Sequence, residues 1–188
     1  MGDQISKWRY LLTSAFLGGS LYCILTYVSV TLFPGEFTLE DYLSVLGKSN
    51  LNPNGATFYN VAVIQVGVFL PPFYLGIYKT FGEERKRFLA IALPIGLLNS
   101  LSVMMSGVFS EDVYELHYFW SFMIFATWIP VLFVTNFALL KQSGFVKWVS
   151  VYGLALAVFD TLFVLYVIYI GTDSGAIIEW ITIFSFIA

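Results

Sequence analysis

The segment SGVFSEDVYELH, residues 106–117, carries the only histidine of the chain, His117, and three of its twelve acidic residues, Glu111, Asp112 and Glu115. A histidine among carboxylates is the pattern of a general base held by an orienting acid. The same residues also suit the start of a helix. Asp112 with Glu115 three positions on has the spacing of a capping box. His117 then lies one turn inside that helix, with Ser121 one turn deeper on the same face. Its expected uses are a bond to a neighbouring helix or loop, a contact with a lipid headgroup, or a proton-sensitive site.

Two more acids stand out. Asp160, in AVFDTLF, sits in the middle of an apolar run. A carboxyl there must face other helices and find a donor, with Asn60, Gln65, Asn99, Ser100, Ser102 and Thr161 as candidates. A structural hydrogen bond and an active proton site are both open. Glu179 begins the last apolar run and suits the positive end of its own helix. His117, Glu111, Asp112, Glu115, Asn60 and Glu179 form the candidate ligand-binding set, converging on one outward-opening cavity. Asp160 is the candidate buried polar group.

Several chemistries are disfavoured. A zinc hydrolase needs about three protein ligands, commonly histidines, and the chain has one, so neither metal nor other cofactor is expected. There is no phosphate-binding glycine loop and no HExxH. A membrane aspartyl protease needs two intramembrane aspartates, and only Asp160 qualifies. No span carries the arginines of a voltage sensor. A net charge of −3 offers no basic surface, so nucleic acid is not an expected partner. Cys23, the lone cysteine, has no intramolecular partner and reads as a packing residue.

The elements that must position these groups are membrane helices. Of 188 residues 59% are hydrophobic and 11% charged, with mean hydropathy +0.81. That excess falls in long blocks, which defines an all-α polytopic membrane protein rather than one buried core. Five runs reach the roughly 20 residues needed to cross: 8–33, 56–78, 88–108, 113–140 and 145–170. A sixth begins near Ala176 and stops at Ala188, too short to span, and reads as a helix cut short. The expected architecture is a bundle of six transmembrane helices in one domain, residues 1–188. Pro71, Pro72, Pro94 and Pro130 should kink spans two, three and four.

Eight of the nine basic residues fall on one side if the spans alternate: Lys7, Arg9, Lys79, Arg85, Lys86, Arg87, Lys141 and Lys147. Only Lys48 falls on the other. The amino terminus is thus expected in the cytoplasm of a cell whose plasma membrane holds the protein. Glu36, Glu40, Asp41, Glu111, Asp112 and Asp173 then face outward. The first outer loop, 34–55, is the longest. Thr38 with Asp41 predicts a capped amphipathic helix carrying Leu39, Tyr42, Leu43 and Leu46 on one face and ending at Gly47.

Two segments together resemble a known family. Leu43-Ser44-Val45-Leu46-Gly47, Asn52-Pro53 and Phe58-Tyr59-Asn60 resemble a pattern of Leu-Ser-x-Leu-Gly, Asn-Pro and Phe-Asn, interrupted here by Tyr59. Gly107-Val108-Phe109-Ser110-Glu111-Asp112 with His117 resembles a second pattern in which proline often replaces Ser110. Both belong to the archaeal and bacterial membrane family known as domain of unknown function nine-nine-eight, itself similar to the eukaryotic Frag/DRAM/Sfk membrane proteins. The resemblance implies six spans and a lipid setting, and no known reaction. It also implies that the first outer loop folds over the start of span four, with Glu111, Asp112 and His117 tied to Ser44, Lys48 and Asn60.

The expected function is binding or organising membrane lipid through an outward-facing polar pocket. The alternatives are an enzyme acting on lipid headgroups or anchors with His117 as base, and a small proton-coupled transporter using Asp160.

Overall fold

The computed structural model describes residues 2–171 and 175–187, with side chains over 13–81, 85–171 and 175–185. Asp173 and the side chains of Lys7 and Arg9 lie outside the described residues. Helix α1 is Gly2–Thr31, α2 Ala56–Val108, α3 Tyr114–Leu140, α4 Lys147–Ile170 and α5 Ala176–Ile187. Within α2 the backbone leaves helical dihedrals at Arg85 (φ −124°, ψ 29°), which divides it into two limbs. The stretches long and apolar enough to cross a membrane are Thr13–Thr31, Ala56–Phe81, Arg85–Val108, Glu111–Leu140 and Lys147–Ile170. The 12 residues of α5 rise about 18 Å, short of a crossing. The protein is therefore an all-helical, polytopic membrane protein.

Helices adjacent in sequence are adjacent in space: α1 packs on α2, α2 on α3 and α3 on α4. The two limbs of α2 lie so close that glycine is required between them. A Cβ on Gly67 would sit 2.6 Å from the Met104 nitrogen and 2.7 Å from the Ser100 carbonyl oxygen. One on Gly107 would sit 2.8 Å from the Asn60 carbonyl oxygen. With no hydrophobic drive between helices in lipid, such close backbone contact supplies the attraction. Buried polar side chains add cross-links. Asn99 donates to the Ile124 carbonyl (3.0 Å) and to Thr127 Oγ1 (3.1 Å) on α3, and accepts from the Tyr74 hydroxyl (3.3 Å). Gln65 donates to the Gly18 carbonyl on α1 (3.1 Å).

Pro71, Pro72, Pro94 and Pro130 lie inside α2 and α3, and the break in helical dihedrals falls at Arg85. Two sequence expectations need correction. The amphipathic helix expected at 39–46 is a turn followed by a short 3-10 helix, Leu43–Gly47. The Thr38–Asp41 cap does form, with Thr38 N–H donating to Asp41 Oδ2 at 2.8 Å. A continuing α-helix would need the Leu43 amide and the Asp41 carbonyl, and both are taken by α5: Glu179 Oε2 accepts from Leu43 N–H (2.8 Å), and Trp180 Nε1–H donates to the Asp41 carbonyl (2.9 Å). The Val45 amide turns instead to Tyr42, three residues back. Asp112, expected to cap span four, sits within its own 3-10 turn, Glu111–Val113, and caps neither that turn nor α3.

Candidate functional site

The first loop folds into a cap whose core is the 3-10 turn. Leu43 and Leu46 are fully buried and pack with Tyr22 of α1 and with Tyr59 and Ala62 of α2. Phe37, Trp180 and Phe184 close the same cluster, the Phe37 and Trp180 rings 5.8 Å apart and those of Trp180 and Phe184 stacked at 5.6 Å. Asn52 fastens the cap from inside. It is fully buried, donates to Ser29 Oγ (3.0 Å) and the Leu46 carbonyl (2.9 Å), and accepts from the Gly55 amide (3.1 Å).

The acids of SGVFSEDVYELH meet this cap, as the loop-on-span reading anticipates. Glu111 accepts from Ser44 Oγ at 2.8 Å and lies 3.7 Å from Lys48 Nζ. Asp112 accepts from the Ser49 amide at 3.0 and 3.2 Å through its two oxygens, and from Ser110 Oγ at 3.2 Å. That amide takes the carboxylate the capping pattern had reserved for the helix. Asn60 donates to the Gly47 carbonyl (3.0 Å). Glu179 joins through Leu43. Glu115 is exposed on the outer turn of α3. The joining of residues 34–55, 109–113 and the start of α5 on one face fixes the alternation of the spans. On the opposite face Arg85 Nη2–H donates to the Lys141 carbonyl (2.7 Å), joining the turns after spans two and four.

His117 stands apart from that cluster. Its Nδ1 lies 2.8 Å from the Phe109 carbonyl oxygen and 3.0 Å from that of Ser106. Carbonyls only accept, so Nδ1 carries the hydrogen. Nε2 is then free to accept from Ser121 Oγ at 3.3 Å. The histidine staples the end of α2 to the first turns of α3 and is oriented by main-chain carbonyls, not by an acid. The expected ties from His117 to Ser44, Lys48 or Asn60 are replaced by these contacts. The expected set therefore divides: Glu111, Asp112, Asn60 and Glu179 gather at the cap, His117 holds a neighbouring corner, and Glu115 faces out.

Asp160 is fully buried where three helices meet. Neither oxygen of its carboxyl makes a hydrogen bond among the described residues, and Thr182 of α5 and Trp128 of α3 are polar side chains that approach it. None of the donors expected from sequence fills this place. Asn99 is spent on α3, and Thr161 on the Ala157 carbonyl one turn back.

Glu111, Asp112, Asn60 and Glu179 of the candidate set are bonded to cap groups, and an opening beside α5 is apolar. A crevice of about 220 Å³ runs between α4 and α5, lined by Phe159, Leu162, Phe163, Tyr166 and Ile178. Its walls come from the half of α4 nearest the cap and from the first turn of α5. Sequence reasoning missed it, because its walls are ordinary span residues and only the placement of α5 beside α4 brings Ile178 to them. The Glu179–Leu43 and Trp180–Asp41 bonds were equally silent, since each joins a side chain to a backbone group more than 130 residues away. Among the described residues no group of three or more His, Cys, Asp or Glu side chains is placed to hold a metal ion.

Fold and site together define a small polytopic helical membrane protein with a folded cap on one face. The chain belongs to the family described as protein of unknown function (DUF998), whose model matches residues 16–188. No curated protein and no solved structure matches it.

Proposed function

We propose that this protein binds membrane lipid, with an acyl chain held in the crevice between α4 and α5. The observation that carries this reading is the crevice itself: aromatic and aliphatic walls, about 220 Å³, built largely from the membrane-crossing helix α4. An apolar concave site takes an apolar ligand, and in a membrane the chain of a neighbouring lipid is the one at hand. This moves the expected lipid site from a polar pocket to an apolar one. The polar residues of the cap would hold the bundle's end in place, and the headgroup would lie at the cap-side boundary. The cap face is inferred to be extracytoplasmic from the eight basic residues on the other side.

A phospholipid bearing a diazirine in its acyl chain tests this in lipid nanodiscs. Photolysis should place adducts on 159–166 and on Ile178 several-fold above those on Phe16 and Ile24, exposed residues of α1. Even labelling over all exposed span residues would contradict a retained chain. A second reading, hydrolysis of a lipid ester, is favoured by one observation, the Ser121–His117 pair with its carbonyl-oriented ring. Covalent capture of Ser121 by a fluorophosphonate, absent in His117→Ala, would support it. An unlabelled Ser121 would remove it.

A further inference from the structure

We propose that the first turn of α5 couples the crevice to the cap, so that an acyl chain in the crevice and closure of the cap support each other. This rests on the lipid reading above and adds its regulation. Successive residues of a helix point about 100° apart, and three in a row here serve two different surfaces, the crevice and the cap. Ile178 lines the crevice. Glu179 holds the Leu43 amide at 2.8 Å. Trp180 holds the Asp41 carbonyl at 2.9 Å, stacks with Phe184 and packs at a tilt against Phe37. A helix turn moves as a unit, so Ile178 cannot shift to admit or release a chain without moving both hydrogen bonds.

The cap end of this linkage is equally connected. The 3-10 turn Leu43–Gly47 has no side-chain cap from Tyr42, the residue before it. Glu179 supplies that missing acceptor from α5. The same turn presents Ser44 to Glu111 and the Gly47 carbonyl to Asn60. A contiguous path therefore runs from Ile178 through Glu179, Leu43 and Ser44 to Glu111. Deeper along α5, the Ser185 carbonyl accepts from the Tyr152 hydroxyl (2.8 Å). This bond holds the far part of α5 to α4 and leaves its first turn as the part that answers to the cap. Linkage between two sites is reciprocal, so what tightens one must tighten the other.

Hydrogen exchange on the full chain in detergent, with and without added palmitoyl-oleoyl-phosphatidylglycerol, reads both ends. In the wild type the lipid should slow exchange of the 43–49 amides as well as exchange in 159–166. Glu179→Leu should speed exchange of 43–49 by about fivefold, the scale of one lost hydrogen bond. It should also abolish the response of that segment to lipid. Glu179→Gln keeps an acceptor and should behave as wild type. Trp180→Phe keeps the ring stack, loses only the bond to Asp41 and should fall between, which serves if Glu179→Leu does not fold. Lipid protection confined to 159–166, with 43–49 unchanged, overturns the coupling and leaves the lipid reading standing. No protection of 159–166 in the wild type removes both. Wild-type exchange of 43–49 in folded Glu179→Leu and Trp180→Phe also overturns the coupling.

Discussion

At the scale of single residues, the cap depends on groups that are buried and fully bonded. Asn52 is the clearest. It has no exposed surface and bonds α1, the 3-10 turn and the start of α2 together. Asn52→Ala leaves the Ser29 hydroxyl, the Leu46 carbonyl and the Gly55 amide without it, and should cost about 2–3 kcal/mol in chemical unfolding in detergent. Asp112→Ala, at an exposed carboxylate, should cost about 1 kcal/mol or less. Equal costs would mean that the cap is held from its surface. Part of this site was legible in the sequence. Glu111, Asp112 and Asn60 were expected at the loop because two short patterns pointed to each other. The partners of His117 and Glu179 were not legible, since a carbonyl or an amide exists at every position and leaves no mark in residue type. The Asp112 cap failed for the same reason: the Ser49 amide competes for the carboxylate.

At the scale of elements, the spans were readable because a bilayer demands length and apolarity, and both are local properties of sequence. The five expected runs fall within a few residues of the five observed. Which faces meet is not local. Asp160 was rightly expected to face the interior, yet no expected donor bonds to it, and the polar side chains that approach it, Thr182 and Trp128, belong to α5 and α3. Close packing of the α2 limbs makes a sharp test. Gly67→Ala puts a methyl against backbone at 2.6 and 2.7 Å, and backbone cannot rotate away as a side chain can. The variant should lose about 1–3 kcal/mol of stability by chemical unfolding. A Gly67→Ala protein as stable as the wild type would mean that the two limbs stand further apart.

At the scale of the whole molecule, the protein has two unlike faces and an apolar crevice. The cap, with Glu36, Glu40, Asp41, Glu111 and Asp112, occupies one face, and the turns joined by Arg85 and Lys141, with most of the basic residues, occupy the other. In a Cys23→Ala background, Ser49→Cys in intact cells should react with a membrane-impermeant maleimide, and Lys141→Cys should react only after lysis. The reverse pattern would invert the protein in the membrane, and labelling of both before lysis would end the alternating topology. Retention of lipid in the proposed crevice can be read by native mass spectrometry of the protein released from phosphatidylglycerol nanodiscs. A bound phospholipid should survive release on the wild type and be lost from Leu162→Trp, whose indole would fill the space between Phe159, Phe163, Tyr166 and Ile178. The same lipid retained by a folded Leu162→Trp, or none retained by the wild type, would contradict it.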